Sequence, residues 1–316
     1  MPTPTDEVPG LSEILGVDLR IKRDDLFPVP GGGNKGRKLA RIFHRLDTEG
    51  VDAVVTTGGI RSNHARVTAQ MAAARGWPCH LVLHGDRIAL SEPRGNLLLS
   101  MLAGAKVTVV ASHRIREKLE EVKQVLHRSG HRPHLIPGGG HSVEGGLAYV
   151  AAVEEVQEQL TVAGDDWQPE WLIVPSGTGA TQAGLMVGLR RVGWSTRVVG
   201  ISVARDRMRG RAAVDEMVER LEVGSMLDVP TEACDFRDDW TGGGYEEPHP
   251  DVPGLIRDVA KTSGIPLDPT YSGKGFLGMR EMIRTGEIRG GSRVLFWHTG
   301  GLLNLVIASG VLKEVR

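Results

Sequence analysis

Short apolar runs alternate with helical patterns along most of the chain. Ala53-Val54-Val55-Thr56-Thr57 has the length and β-branched content of a buried strand, and Asn63 to Arg75 behind it carries Val67, Gln70, Met71 and Ala74 on neighbouring helical turns. The same reading predicts strands at 81–83, 107–110, 171–174, 198–201 and 294–297. It predicts helices at 96–102, 117–127, about 146–160, 181–192, 212–221, 255–263 and 274–284, and a further helical pattern opens with Leu39, Ile42 and Phe43. Residues 162–169 form a polar link, and 235–253 is rich in loop residues. Repeated strand-then-helix order makes this an α/β protein with parallel sheets, whose ligands sit beyond the carboxyl ends of the strands.

Composition narrows the class. With 316 residues, 40% hydrophobic and 24% charged, the chain can bury a large core and divide into two domains. A formal net charge of -1 without a long single-sign run argues against nucleic-acid and anionic-membrane partners, so the expected partner is a small molecule. Cys79 and Cys234 have neither zinc-site nor disulfide-framework spacing, which points to a reducing cytoplasm and no metal. The N-terminus lacks the basic and apolar regions of a secretory signal, and no stretch of eighteen apolar residues occurs, so no membrane span is expected.

The 42 glycines cluster in loops, most visibly at 31–33, 58–59, 138–140, 177 and 179, 242–244, 273 and 275, and 300–301. Ser176-Gly177-Thr178-Gly179-Ala180-Thr181 stands between a strand and a helix, where small residues let backbone N–H groups and hydroxyls converge on a phosphate. A turn of this kind also serves simply to pack a helix closely on a sheet. The dinucleotide fingerprint fails at Gln182, and no acidic residue ends the next strand. A P-loop fails at Gly31, because Gly36 is followed by Arg37-Lys38. Gly31-Gly32-Gly33-Asn34-Lys35 meanwhile aims one lysine out of a bare backbone turn. A lysine, a monophosphate cup and an α/β scaffold together suggest pyridoxal 5′-phosphate, which needs an amine for its aldehyde, a phosphate anchor, a donor at its phenolic oxygen and a partner at its ring nitrogen.

Lys22-Arg23-Asp24-Asp25-Leu26 with Gly32-Gly33-Asn34-Lys35-Gly36-Arg37-Lys38-Leu39, then Gly58-Gly59-Ile60-Arg61-Ser62-Asn63-His64, then Asp268-Pro269-Thr270-Tyr271-Ser272-Gly273-Lys274, and finally His298-Thr299-Gly300-Gly301 occur in that order. In these four motifs the chain resembles the 1-aminocyclopropane-1-carboxylate deaminase / D-cysteine desulfhydrase family. The resemblance implies the tryptophan-synthase-β type of fold, known as fold type II. That fold has two three-layer α/β/α domains: a larger one from residues 1–46 and 164–316, and a smaller one inserted at 47–163, with the cofactor in the cleft. It also implies a homodimer.

Residue by residue, the resemblance makes Lys35 the lysine that carries the cofactor and removes the substrate Cα proton, with Lys38 near the phosphate. Asn63 corresponds to the amide at the phenolic oxygen. Ser62 corresponds to a hydroxyl that touches substrate or relays a proton, and both residues suit a helix cap as well. Residues 176–181 correspond to the phosphate loop, and Tyr245 and Tyr271, two of only three tyrosines, to a pair facing the substrate. In the deaminase pattern Gln follows Ser-Asn and Glu follows the Tyr of D-P-x-Y; here these are His64 and Ser272. A carboxylate would keep the ring nitrogen protonated, whereas a hydroxyl from Ser272 or Thr299 would not, which favours β-elimination of the D-cysteine desulfhydrase kind over cyclopropane ring opening. His64, near the substrate carboxylate, would bind it or titrate. Departures from the desulfhydrase pattern are His141-Ser142 after Gly139-Gly140, Val67 for a Gln, and Leu302-Leu303 for Ala-Pro. His141 would then read a larger or differently polar side chain. The expected activity is a lyase or deaminase on a small amino acid. The alternatives are 1-aminocyclopropane-1-carboxylate deamination, a biosynthetic relative acting on another β-substituted amino acid, a cofactor-binding protein without turnover, and a nucleotide-dependent oxidoreductase.

Overall fold

The computed structural model describes residues 2–223, 234–245 and 247–308. They form two compact units, one from Met1–Asn34 with Gly146–Arg316 and one from Lys35–Gly145. The chain changes unit at the start of α2 (Asn34–Thr48) and again early in α6 (Val143–Ala163). The expected boundaries, after residues 46 and 163, lie towards the far ends of the same two helices. Elements are numbered along the whole chain.

The first unit contains a six-stranded sheet in the order β1-β2-β10-β7-β8-β9. Its strands are β1 (Thr5–Glu7), β2 (Asp18–Arg23), β7 (Trp171–Ser176), β8 (Arg197–Ser202), β9 (Asp235–Arg237) and β10 (Arg293–His298). Only β1 is antiparallel, pairing Thr5 with Lys22 at the sheet's edge. β10 and β7 lie centrally and are buried along nearly their whole length, which accounts for the continuous apolar runs that marked them in the sequence. The core brings Leu19, Ile21, Ile173, Val199, Ile201, Phe276 and Phe296 together. Each large apolar side chain fully buried in this way contributes about 1.5–3 kcal/mol. Helices α1 (Pro9–Leu15), α7 (Ala180–Arg191), α8 (Arg207–Glu222), α9 (Val252–Ser263), α10 (Ser272–Arg284) and α11 (Leu302–Ile307) complete the unit. Gly184 lets α7 approach α6, since a Cβ there would stand 2.2 Å from the Gly146 carbonyl oxygen and 2.6 Å from Tyr149 Cβ.

Several of these elements were not visible in the sequence pattern. β2 is dense in basic residues, and its only strand signal is the short alternation of Leu19 and Ile21 with Arg20 and Lys22. Its Lys22 is nevertheless fully buried, donating to Thr3 O at 2.6 Å, Glu155 Oε1 at 2.6 Å and Gln159 Oε1 at 3.0 Å. β9, three residues at a sheet edge, falls in the stretch expected to be loop. α8 begins at Arg207, five residues before the expected start, because Asp206 caps it by accepting from Arg209 N and its polar first turn has no apolar period.

The second unit holds a parallel four-stranded sheet in the order β5-β4-β3-β6. It comprises β3 (Ala53–Gly59), α3 (Asn63–Ala73), β4 (Cys79–His84), α4 (Gly95–Leu102), β5 (Lys106–Val109), α5 (Ile115–Arg128) and β6 (Pro133–Ile136), following α2. Val55, Val82, Leu119 and Val122 pack together where α5 covers the sheet.

In both units the motif residues fall where parallel strands end. Residues 24–33 follow β2, 176–181 end β7 and open α7, and 299–301 follow β10. In the inserted unit, 60–64 follow β3 and 137–141 follow β6.

Candidate active site

In the first unit the glycine run folds back on the end of β10. Gly33 has φ +101°, its N–H donates to Asp24 O at 2.8 Å, and the Asn34 N–H donates to Thr299 O at 3.0 Å. A Cβ at Gly33 would stand 3.1 Å from that same Thr299 oxygen, so conformation and space both call for glycine. Asn34 also reaches the loop after β7: its Nδ2 donates to Thr181 Oγ1 at 3.4 Å, which leaves the Thr181 O–H to donate elsewhere. Asn34 immediately precedes Lys35, and its motif membership was the only sequence sign of this contact.

The loop at 176–181 has the donors an anion needs. α7 starts at N-cap Gly179, which has φ +95° and no side chain to cap the first turn. Thr181 is buried, and Ser176 Oγ is buried without a hydrogen-bond partner among the described residues. Gly177 and Thr178 complete a turn in which a Cβ on Gly177 would meet only Val203 Cγ2 at 3.4 Å. Close packing of α7 involves Gly179, Gly184 and Gly188, and not Gly177. An uncapped helix start beside an unpartnered buried hydroxyl fits one phosphate group.

Ser272 is built into the turn that opens α10. Its Oγ donates to Asp268 Oδ1 at 2.7 Å and accepts from the Asp268 N–H at 2.7 Å. The same carboxylate accepts the backbone N–H of Ser272 at 2.8 Å, Thr270 at 3.0 Å and Tyr271 at 3.1 Å. Burial pushes the Asp268 carboxyl up, and the donors from Ser272, Thr270 and Tyr271 oppose that shift. The resemblance gives Asp268 no role, although an Asp two to four residues ahead of such a turn is a recognisable Asx signal. The hydroxyls of Tyr245 and Tyr271 hydrogen-bond each other, with the rings edge to face at a centroid separation of 5.7 Å.

In the inserted unit, Lys35 stands in the first turn of α2 and its Nζ donates to Gly139 O at 3.2 Å. Burial lowers its pKa to about 8. Lys38, one turn on, is buried; its pKa falls well below the usual lysine value through burial and then through the charge of Lys35. Ser62 caps α3, its Oγ accepting from Ala65 N at 3.2 Å, and Asn63 Oδ1 is buried with no partner among the described residues. His141 closes the 138–141 turn, in which Gly139 and Gly140 both have positive φ.

His64 is held in one tautomer. Thr56 Oγ1 donates to Ile136 O at 2.7 Å, so it must accept from His64 Nε2–H across 2.8 Å, which leaves Nδ1 a buried acceptor with no partner among the described residues. Burial first, then the charges of Lys35 and Lys38, pushes the imidazole well below its usual pKa. The expected titrating role therefore gives way to that of a fixed neutral acceptor.

Each unit by itself carries groups of the types a phosphorylated pyridine aldehyde needs: the first a phosphate cup and a hydroxyl anchored by Asp268, the second an amine with pKa about 8 and an amide oxygen without a partner among the described residues. Among the described residues no cluster of three or more His, Cys, Asp or Glu could hold a metal ion, and no helix is long and apolar enough to cross a membrane.

Comparison with known proteins agrees. The family described as pyridoxal-phosphate dependent enzyme matches residues 1–300. A Pyrococcus horikoshii protein provisionally named 1-aminocyclopropane-1-carboxylate deaminase is 37% identical over 303 residues, covering 95% of this chain and 89% of its own. A Klebsiella pneumoniae D-cysteine desulfhydrase is 34% identical over 308 residues, covering 95% and 92%. A crystal structure described as the ACC deaminase homologue superposes with a TM-score of 0.89 at 34% identity, covering 99% of this chain and 94% of that one.

Proposed function

Because the chain belongs to the pyridoxal-phosphate-dependent enzymes, in the branch of 1-aminocyclopropane-1-carboxylate deaminases and D-cysteine desulfhydrases, we propose that it catalyses α,β-elimination on a small β-substituted amino acid of the D-cysteine kind. With one water consumed, the products are ammonia, a 2-oxo acid and the released, protonated β-substituent. Pyridoxal 5′-phosphate supplies an electron-withdrawing ring that takes up the electron pair left behind at Cα. Lys35 would be the residue that holds the cofactor and, once its amine is free, with a pKa of about 8, the base for the Cα proton. Residues 176–181 would bind the phosphate, with Ser176 Oγ, Thr181 Oγ1 and the first-turn N–H groups of α7 as donors, and Lys38, whose burial favours the neutral amine, would be drawn back to its charged form by that phosphate. The Asn63 amide faces the phenolic oxygen. Ser62, Tyr245 and Tyr271 face the substrate and His141 lies towards its side chain, whereas His64, neutral and donating only to Thr56, has no N–H left for the substrate carboxylate.

One observation carries the choice of elimination over ring opening. The residue beside Tyr271 is Ser272, whose O–H is already donated to Asp268 Oδ1. With that O–H committed to Asp268, the Thr299 hydroxyl is the group left to donate to the ring nitrogen, and neither side chain is itself a carboxylate, as the Glu of the deaminase pattern would be. A cofactor held in that setting would draw electrons less strongly, which favours prompt loss of the β-substituent over ring opening.

Incubation of the loaded enzyme with D-cysteine, D-serine and 1-aminocyclopropane-1-carboxylate, assayed for sulfide, ammonia, pyruvate and 2-oxobutanoate, tests this reading. Sulfide, ammonia and pyruvate from D-cysteine are expected; 2-oxobutanoate alone would reverse the choice, and no turnover of any of the three would sink it. Lys35→Ala is expected to lose the yellow colour of the bound cofactor and turnover together. A variant as yellow and as active as the wild type would remove Lys35 from its role.

A further inference from the structure

Lys274 has no part in the chemistry above, yet its side chain is fully buried. It stands in the first turn of α10, where the helix dipole disfavours a cation. Its Nζ donates to three backbone carbonyls: Val203 O at 3.1 Å, Thr241 O at 2.6 Å and Gly244 O at 2.6 Å. An ammonium has three N–H donors, so all three are used, and every acceptor is main chain. The carbonyls come from separate places. Val203 follows β8, and its N–H donates to Ser176 O at 3.1 Å, at the phosphate loop. Thr241 and Gly244 bracket the glycine turn that leads into Tyr245.

Backbone carbonyls converging from separate segments on one point are how proteins replace the hydration shell of a potassium-sized ion. Here the point is occupied by a charge on a side chain. Burial lowers its pKa to about 8, while Asp268 and Glu247 act to raise it, so at neutral pH the group stays mostly charged.

We propose that Lys274 is a tethered monovalent cation. Its ammonium fills a carbonyl cage that a free potassium or ammonium ion would otherwise occupy, and so fixes the 241–245 loop with Tyr245 against Tyr271. The protein thereby needs no monovalent salt. The link to turnover rests on the reading of Tyr245 as a substrate-facing residue; the clamp itself does not.

The test compares wild type, Lys274→Ala and Lys274→Met in potassium, ammonium, lithium and tetramethylammonium chloride at equal ionic strength. Thermal midpoint and kcat/KM are both measured. Wild type is expected to be indifferent to the cation in both. Lys274→Ala is expected to lose roughly tenfold in kcat/KM, and to recover midpoint and turnover in potassium or ammonium but not in the other two salts. Lys274→Met, whose apolar stem fills the cage without a charge, is expected not to recover in any salt. A purely structural lysine would show no ion-selective rescue, so equal recovery in all four salts, or none in Lys274→Ala, overturns the proposal. So does a wild type that itself depends on potassium, a result that needs no variant to fold. Recovery of the midpoint without recovery of kcat/KM overturns the positioning of Tyr245, whereas failure of every assayed substrate with the cation-selective midpoint intact would count against the proposed reaction and leave the clamp standing.

Discussion

The amine of Lys35 joins burial to chemistry within one residue. Only the neutral amine attacks an aldehyde, and desolvation moves its pKa from the usual lysine value to about 8. Below that pH the neutral fraction falls about tenfold per unit, to roughly 1% at pH 6. The rate at which cofactor-free protein takes up pyridoxal 5′-phosphate, followed by the growth of its bound absorbance, should therefore rise with pH through about 8 and then level off. A rate still climbing about tenfold per unit above pH 9 would contradict the lowered pKa. Lys35, Ser62, Asn63 and the serine at 272 were legible in the sequence because motif and residue type coincide. The tautomer of His64 was not, because it is set by Thr56 and Ile136, distant in sequence and joined to it only by the folded sheet. Asp268 was visible as a letter, but its four accepted hydrogen bonds were not.

Among the elements, the loop from β7 into α7 shows what a glycine can be required for. Gly179 sits at φ +95°, and a Cβ there would stand 3.1 Å from Ala213 C and O and from Val214 N of α8. Gly177 has no positive φ and meets only a Val203 methyl. Gly179→Ala is thus expected to destabilise by about 1–3 kcal/mol and to weaken cofactor binding at least tenfold in an equilibrium titration, with Gly177→Ala clearly milder. Equal effects of the two substitutions would mean that neither backbone strain nor the approach of α8 decides the loop. Elements with continuous apolar runs, such as β7 and β10, were readable because both faces are buried. β2, β9 and the start of α8 escaped because polar residues there are matched by distant partners: Glu155 and Gln159 for Lys22, Arg197 for Asp235, and Asp238 for the Arg207 N–H.

At the scale of the whole molecule, the family match spans residues 1–300, so the cofactor belongs to the chain's overall plan and not to one local motif. A ligand that binds only the folded state stabilises it in proportion to its saturation, by about 2.7 kcal/mol at one hundred times its dissociation constant. Removing pyridoxal 5′-phosphate should lower the thermal midpoint, and pyridoxal without the phosphate should restore only part of the difference. Full recovery with pyridoxal would deny the 176–181 loop its role.

What the sequence determined by itself was the alternation of strands and helices, the parallel character of the sheets, the glycine loops at strand ends and the amine, hydroxyl and amide types suited to one cofactor. All of these depend on neighbours within a few positions, and periodicity records such neighbours. Tertiary structure decided which groups are charged and which atoms are already engaged: the lowered pKa of Lys35, the acceptor face of His64, the O–H that Ser272 gives to Asp268, and the three carbonyls around Lys274. Protonation and hydrogen-bond direction follow from desolvation and from partners remote along the chain, and those exist only once the chain has folded.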